Sequence, residues 1–282
     1  FASDAITSIC ILKVYGSQGS VTKGQEIHLK VVKQGCFEES DVIGNSLVDM
    51  YAKCGWMVEA HDTFWRLANV DVVSWNVLIA GYAQAGQAHE ALNSLAQMQK
   101  ESLYPNEVTF ICILKACASI GALDVGKQIH KEIVNRGFLK INIELGNALV
   151  DMYAKCGMLV KAQEVVDLLP IRDIVSWNAL IAGYALQGHV HGALTSFGRM
   201  QNEGLSPNAI TYTYVLKVCG NIGAIDKGKE IHDRLIQIRL LEKYVVLGNV
   251  LLDMYIRCKE LVKAHQVLEQ LPIRDAVSWN VI

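Results

Sequence analysis

The sequence predicts an all-helical protein, an α-solenoid in which helix–turn–helix repeats stack into a right-handed superhelix of the tetratricopeptide type. Three observations lead to this fold class. One phrase recurs at a constant step of 102 residues, as GNSLVDMYAKCG from residue 44, GNALVDMYAKCG from residue 146 and GNVLLDMYIRCK from residue 248. Glycines divide each block into units of 31 to 36 residues. Apolar residues recur at helical spacing inside the units, whereas strand-like alternation is scarce.

Glycine marks the same place in each unit. The seven marks are Gly19, Gly55, Gly86, Gly121, Gly157, Gly188 and Gly223. Lys259 stands where the next glycine is expected. One glycine per unit predicts a left-handed turn, and the flanking residues 43–54 and 57–67 each carry one apolar face, which predicts two helices. Such a pair buries its apolar stripes only by stacking on neighbours, so we expect the first helices to line a concave, functional face.

The composition excludes several classes of protein. The 282 residues are 51% hydrophobic, enough for a large core, yet no apolar run approaches the roughly 20 residues of a membrane span. The eight cysteines form no CxxC pair, so we predict no metal site, no cofactor and a reducing compartment. The net charge of −2 does not favour nonspecific binding to nucleic acid.

The sequences of the units resemble those of the pentatricopeptide repeat family, in its plant-type subclass of alternating P, L and S units. VVSWNVLIAGYAQAGQAHEAL resembles a P unit, TFICILKACASIGALDVGKQIH an L unit and GNALVDMYAKCGMLVKAQEVVDLLPIRD an S unit. The predicted units are the tail of a P unit at 1–4, L units at 5–40, 107–142 and 209–244, S units at 41–71, 143–173 and 245–275, P units at 72–106 and 174–208, and a truncated P unit at 276–282.

The resemblance implies sequence-specific binding of single-stranded RNA in a mitochondrion or chloroplast, one base per unit, for RNA editing or processing. It implies RNA editing cofactors or a deaminase as further partners. The PCxxC element that completes the zinc site of a cytidine deaminase is missing from the sequence, so we expect no catalysis by this chain. The chain begins with Phe1 and ends inside a phrase that continues in earlier copies, so we expect it to be part of a longer protein.

In this family the fifth and last residues of a unit choose the base. The S and P units carry Asn45 with Asp71, Asn76 with Asn106, Asn147 with Asp173, Asn178 with Asn208, Asn249 with Asp275, and Asn280. Asparagine is a poor residue inside a helix, and its amide offers a donor and an acceptor to a pyrimidine edge. The family's code gives U for Asn–Asp and C or U for Asn–Asn. The implied register is 5′-N-U-Y-N-U-Y-N-U-Y-3′, with Y for C or U, and we expect the amides to line the concave face.

Other positions are assigned by their place in the unit. Base-sandwiching residues are predicted at position two, at Val42, Val73, Val175, Val246 and Val277, whereas Glu144 departs from the pattern. Lys53, Lys155 and Arg257 end first helices and either contact phosphates or complement the helix C-terminus. Trp75, Trp177 and Trp279 stand directly before the reading asparagines and are expected to pack in the core between units. The L units have Ile9, Ile111 and Thr213 at position five and are expected to be spacers or weak readers.

Two alternatives remain open. One is a tetratricopeptide-type scaffold that binds proteins rather than RNA, and the other is a structural array without a ligand. Glu144 and the near-neutral charge favour them. An Asn or Asp that closes a unit is also a good N-cap for the next helix, which needs no RNA to explain it.

Overall fold

The computed structural model describes residues 2–271 and 273–281, with side chains from residue 5 onward except at 38, 39 and 281. Phe1, Pro272 and Ile282 lie outside the described residues, and so do the outer ends of the first and last predicted units. The chain forms two compact units, Phe1–Met152 and Tyr153–Ile282, each of which contains several repeats. They are called the first and the second unit below, as distinct from the repeat units of the sequence.

The first unit is built from consecutive helices joined by short turns. They are α1 (Ala2–Gln18), α2 (Val21–Lys33), α3 (Cys36–Glu39), α4 (Asp41–Lys53), α5 (Met57–Phe64), α6 (Val72–Gln84), α7 (Ala88–Lys100), α8 (Glu107–Ile120) and α9 (Leu123–Asn135). A short 3-10 turn, Phe138–Lys140, follows α9. Helix α10 (Ile143–Lys155) runs from the first unit into the second.

The second unit repeats this pattern. Its helices are α11 (Leu159–Leu168), α12 (Ile174–Leu186), α13 (Val190–Asn202), α14 (Ala209–Ile222), α15 (Ile225–Gln237), α16 (Val245–Arg257), α17 (Leu261–Gln270) and α18 (Ala276–Val281). No strand occurs among the described residues. None of the helices in these ranges is long and apolar enough to cross a membrane.

The first helices form one layer in each unit. In the first unit α1 packs on α4, α4 on α6 and α6 on α8, and in the second α12 packs on α14, α14 on α16 and α16 on α18. Each also packs against its own second helix, as α4 does on α5 and α12 on α13. This arrangement is the predicted all-α solenoid of helix–turn–helix repeats.

The glycine turns have the predicted backbone. All seven marked glycines have φ between 65° and 81°, and Lys259 has φ 62°. An L-residue rarely adopts this left-handed conformation, which explains why glycine recurs there. The turn geometry is therefore kept at Lys259 even though the glycine is absent.

Two histidines and two tryptophans join neighbouring helices. The Nδ1 of His28 and that of His232 lie 2.9 Å from the hydroxyls of Tyr51 and Tyr255. Trp75 and Trp177 are fully buried, as predicted, and their Nε1 atoms donate to Glu101 and Glu203 at 3.2 and 3.1 Å. Trp279 is 59% exposed, contrary to the prediction, because within the described residues no second helix packs on α18 as α7 and α13 pack on the helices of the other two.

Candidate nucleic-acid interface

The predicted base-reading asparagines lie in the layer of first helices. Their positions are Asn45 in α4, Asn76 in α6, Asn147 in α10, Asn178 in α12, Asn249 in α16 and Asn280 in α18. Asn76, Asn147, Asn178 and Asn249 are only 7–8% exposed, whereas Asn45 is half-buried and Asn280 is exposed. Most of these amides are thus largely buried, whereas the sequence predicted that they would be accessible along the concave face.

Three of the predicted reading pairs are in direct contact. The Nδ2 of Asn76 donates to Asn106 Oδ1 at 3.0 Å, and that of Asn178 donates to Asn208 Oδ1 at 3.2 Å. The Nδ2 of Asn249 lies 3.1 Å from Oδ1 and 3.3 Å from Oδ2 of Asp275. Position five therefore meets the last residue of its own unit, across 26 or 30 residues of chain.

A hydroxyl from the next repeat unit donates a hydrogen bond to the Oδ1 of each of these three amides. Thr109 Oγ1 donates to Asn76 Oδ1 at 2.5 Å, and Thr211 Oγ1 donates to Asn178 Oδ1 at 2.7 Å. Ser278 Oγ donates to Asn249 Oδ1 at 2.6 Å. The sequence analysis missed these residues, although a Ser or Thr stands three residues after each closing Asn or Asp.

These two contacts fix the orientation of the amide. One N–H points to the closing residue and one oxygen lone pair receives the hydroxyl. An amide has two N–H donors and an oxygen with two lone pairs, so one donor and one acceptor remain. An amide held in this way can offer one donor and one acceptor to a base edge without being able to exchange their places.

Asn45 differs from the other reading residues. Its Oδ1 is buried and has no hydrogen-bond partner among the residues that the structure describes. The corresponding hydroxyl, that of Ser74, donates to Asp71 Oδ1 at 3.0 Å instead. The predicted pair Asn45–Asp71 is therefore not joined by a hydrogen bond in the part of the chain described.

The closing residues also start the next helix. Asp71, Asn106, Asp173 and Asn208 are N-caps of α6, α8, α12 and α14, each in a capping box with the Ser or Thr three residues on. Asp275 accepts from Ser278 N at 2.8 Å in the same way. The capping interpretation raised by the sequence is confirmed, and it coexists with the contacts to the amides.

The carboxylate of Asp275 is held ionised by its donors. The backbone N–H of Ser278, the hydroxyl of Ser278 and the amide of Asn249 lower the pKa of Asp275 below its ordinary value. A carboxylate that stays ionised accepts only, so the amide nitrogen of Asn249 must face it. The Asn–Asp pair is for this reason more strictly oriented than an Asn–Asn pair.

An exposed apolar residue stands one helical turn before five of the six reading asparagines. Val42, Val73, Val175, Val246 and Val277 are 52–66% exposed, as a base-sandwiching role requires. The L units carry the same feature at Ile6, Val108 and Ile210, which the sequence analysis missed although they occupy position two. Glu144 is also exposed and leaves a polar residue at this place in α10.

The predicted phosphate contacts sit beside carboxylates. Lys53 Nζ lies 2.6 Å from Asp49, and Arg257 Nε lies 2.7 Å from Asp253, each one turn earlier in the same helix. Lys155 is exposed at the same place in α10. Exposed pairs of this kind contribute only about 0.3–0.5 kcal/mol, so a phosphate can compete for the cation.

The predicted L units carry Ile9, Ile111 and Thr213 in place of an asparagine at position five. Ile9 and Ile111 are half-buried, and the hydroxyl of Thr213 is used within its helix, donating to Ala209 O at 2.8 Å. The closing Asn142 caps the start of α10 by accepting from Leu145 N at 2.9 Å. Within the described residues, no group of three His, Cys, Asp or Glu side chains could hold a metal ion.

Comparisons with known proteins agree with this architecture. The PPR (pentatricopeptide) repeat family model matches residues 70–119 and 172–221, and the PPR repeat model matches 45–69 and 147–174. Together these matches cover more than half of the chain.

Two curated relatives come from Arabidopsis thaliana. A mitochondrial pentatricopeptide repeat-containing protein is 36% identical over 279 residues, 99% of this chain and 43% of the relative. A chloroplastic one is 35% identical over 283 residues, 100% of this chain and 45% of the relative. The chain thus spans less than half the length of these relatives.

A similar solved structure is that of the pentatricopeptide repeat protein PPR10 in complex with an 18-nt psaJ RNA element. It has a TM-score of 0.74 and 20% identity over 92% of this chain and 39% of that chain. The crystal structure of PPR10 from maize has a TM-score of 0.70 and 22% identity, over 98% of this chain and 39% of that one. These likenesses show the fold.

Proposed function

The chain belongs to the pentatricopeptide repeat family, and we propose that it binds single-stranded RNA in a sequence-specific manner, one base per repeat. The row of oriented amides carries this proposal. The amides of Asn76, Asn178 and Asn249 are each fixed by the closing residue of their repeat and retain one donor and one acceptor. Single-stranded RNA offers unpaired base edges to such groups. The crystal structure of PPR10 with an RNA element supports this ligand class.

We further propose the plant-type subclass with P, L and S repeats in the boundaries given above, and the register 5′-N-U-Y-N-U-Y-N-U-Y-3′. The exposed apolar residues at position two support it, since they can cover base faces on either side of each amide. The names of the relatives, mitochondrial and chloroplastic, support an organelle as the location. The chain would supply recognition, and RNA editing cofactors or a deaminase would supply chemistry.

A binding assay tests the proposal. Purified chain is titrated with fluorescent 5′-AUCAUCAUC-3′ and with a purine-only strand of the same length. We expect clearly tighter binding of the first strand, because each base-edge hydrogen bond contributes about 1 kcal/mol, or about fivefold in affinity. Equal affinity for the two strands would refute base reading.

A single-position test assigns the reader. Replacing C by A at the third nucleotide should weaken binding to the wild type about fivefold, and this penalty should largely disappear in Asn76→Ala. Asn93→Ala is the matched control, because Asn93 is an exposed amide on the second helix α7. A penalty that persists in Asn76→Ala would show that Asn76 does not choose the base.

The scaffold alternative is favoured by one observation, the near-burial of the amides, which already join neighbouring repeats without a ligand. It predicts that neither strand binds the purified chain. The same titration therefore separates the two functions.

A further inference from the structure

The L repeats carry a lysine that the base-reading scheme leaves unused. Lys13, Lys115 and Lys217 occupy the same place in α1, α8 and α14, at steps of 102 residues. Each stands four residues after the position-five residue, and therefore on the same helix face. All three are exposed, and none forms an ion pair within the part of the chain that the structure describes.

The second unit shows what surrounds one of these lysines. A cleft of about 270 Å³ opens between α12, α14 and α16, and its polar lining is Lys217, Asn221, Asp253 and Arg257. The stem of Arg257 crosses onto α14, where its Cδ would lie 3.1 Å from a Cβ at Gly220. The cation of the S repeat and the lysine of the L repeat thus share one cleft.

The charges in this cleft do not cancel. Arg257 is paired with Asp253 at 2.7 Å, so this pair is neutral as a unit. Lys217 therefore supplies the net positive charge, and Asn221, 3.4 Å from Arg257 through its Oδ1, adds an amide. One surplus charge matches one phosphodiester group, which carries a single negative charge between consecutive nucleotides.

The first compact unit repeats the contact between the S-repeat cation and the helix of the L repeat. The stem of Lys53 lies against α1, with its Cδ 3.4 Å from the place of a Cβ at Gly16, three residues beyond Lys13. Lys53 is paired with Asp49, so Lys13 is again the surplus cation. The glycine lets the S-repeat cation reach the helix that carries the L-repeat lysine.

We infer that the L repeats bind the RNA backbone: Lys13 with Lys53, and Lys217 with Arg257, form phosphate sites, and Lys115 has the same role in the L repeat at 107–142. This inference rests on the proposed RNA-binding function and gives the L repeats a role that needs no reader at position five. The Lys ammonium is a point charge on a flexible stem, which suits contact with a phosphate irrespective of the base.

The test is the salt dependence of binding. Affinity of the whole chain for 5′-AUCAUCAUC-3′ is measured between 0.05 and 0.3 M KCl for wild type, Lys217→Gln and the control Lys263→Gln. Lys263 is an exposed lysine on the second helix α17, so the control removes the same charge elsewhere. A phosphate contact on a single strand contributes a slope of about −0.7 in log affinity against log salt.

We expect Lys217→Gln to reduce the slope by about 0.7 and the affinity about fivefold at 0.1 M salt, equally for matched and mismatched strands. Lys13→Gln with Lys217→Gln should double the change in slope. If Lys217→Gln behaves like Lys263→Gln while the wild type still prefers its strand, the L-repeat inference fails and the proposed function stands. If the wild type binds no single strand, the proposed function itself fails.

Discussion

Replacing Thr211 by Val isolates the contribution of a hydroxyl to the oriented amides. Thr211 is fully buried, and its Oγ1 donates to Asn178 Oδ1 at 2.7 Å and accepts from Asn208 N at 3.1 Å. Valine has nearly the same shape but neither a donor nor an acceptor. The substitution therefore removes both bonds while the side-chain cap from Asn208 to Thr211 N, at 3.1 Å, can persist.

The expected cost follows from these contacts. Loss of the reciprocal capping bond costs about 1 kcal/mol, and an amide oxygen left without a donor in an enclosed site costs about 1–3 kcal/mol. Thr211→Val should thus lower the free energy of unfolding by about 2–4 kcal/mol, measured by urea denaturation with far-UV circular dichroism. Thr211→Ser keeps the hydroxyl and should lose much less.

Ser74→Ala is the matched control. The Ser74 hydroxyl is buried in a capping box with Asp71 but does not bond to Asn45. Its removal should cost about 1 kcal/mol, the capping part alone. If Thr211→Val costs no more than Ser74→Ala, the hydroxyl does not support the amide of Asn178, and the argument for an oriented donor and acceptor is wrong.

Three further predictions concern the turn, the histidines and the break in the apolar row. Lys259→Gly should raise the free energy of unfolding by about 0.5–1 kcal/mol, because it removes left-handed strain of about 1–2 kcal/mol from the folded state but adds conformational entropy to the unfolded chain. Gly157→Lys should lower the free energy of unfolding by a similar amount, and a Lys259→Gly variant less stable than the wild type would contradict this prediction. Burial lowers the pKa of His28 and His232 below the 6.5 of the unfolded chain, so the free energy of unfolding should fall as the pH drops through 6.5. Replacing both histidines by Gln should make the urea midpoint less dependent on pH between 7.5 and 5.5, and an unchanged pH dependence would contradict this prediction. Glu144→Val should tighten binding of 5′-AUCAUCAUC-3′ about threefold in the fluorescence titration described above, because partial burial of a Val side chain against a base contributes about 0.5–1 kcal/mol. Unchanged or weaker binding would count against a base-sandwiching role for the residues at position two.

The sequence predicted the architecture because the constraints on it are local. A left-handed turn restricts one residue, so glycine at Gly55 or Gly188 reports it directly, and helical spacing reports which face is buried. Such signals repeat with the unit. The exception at Lys259 shows that packing of the surrounding helices maintains the turn when the local preference is absent.

The enclosure of the amides was not predicted because it depends on the next unit. Asn178 is covered by Thr211, which is 33 residues away in the sequence. A search along one helix does not reveal this contact, although the recurring Ser or Thr after each closing residue was visible. Likewise, the two interpretations of Lys53, phosphate contact and complementation of the helix C-terminus, both overlook Asp49, whose place four residues earlier predicts the ion pair.

Under the proposed function, the capping boxes at Asn106 and Asn208, which also contact reading amides, limit how such a chain can change its RNA target. A residue that both starts a helix and touches the amide must be drawn from the few short polar side chains that cap well. Mutations that change the target are therefore limited to a few short polar residues at these positions. A large or apolar residue there would destabilise the start of the following helix before it changed which base is recognised.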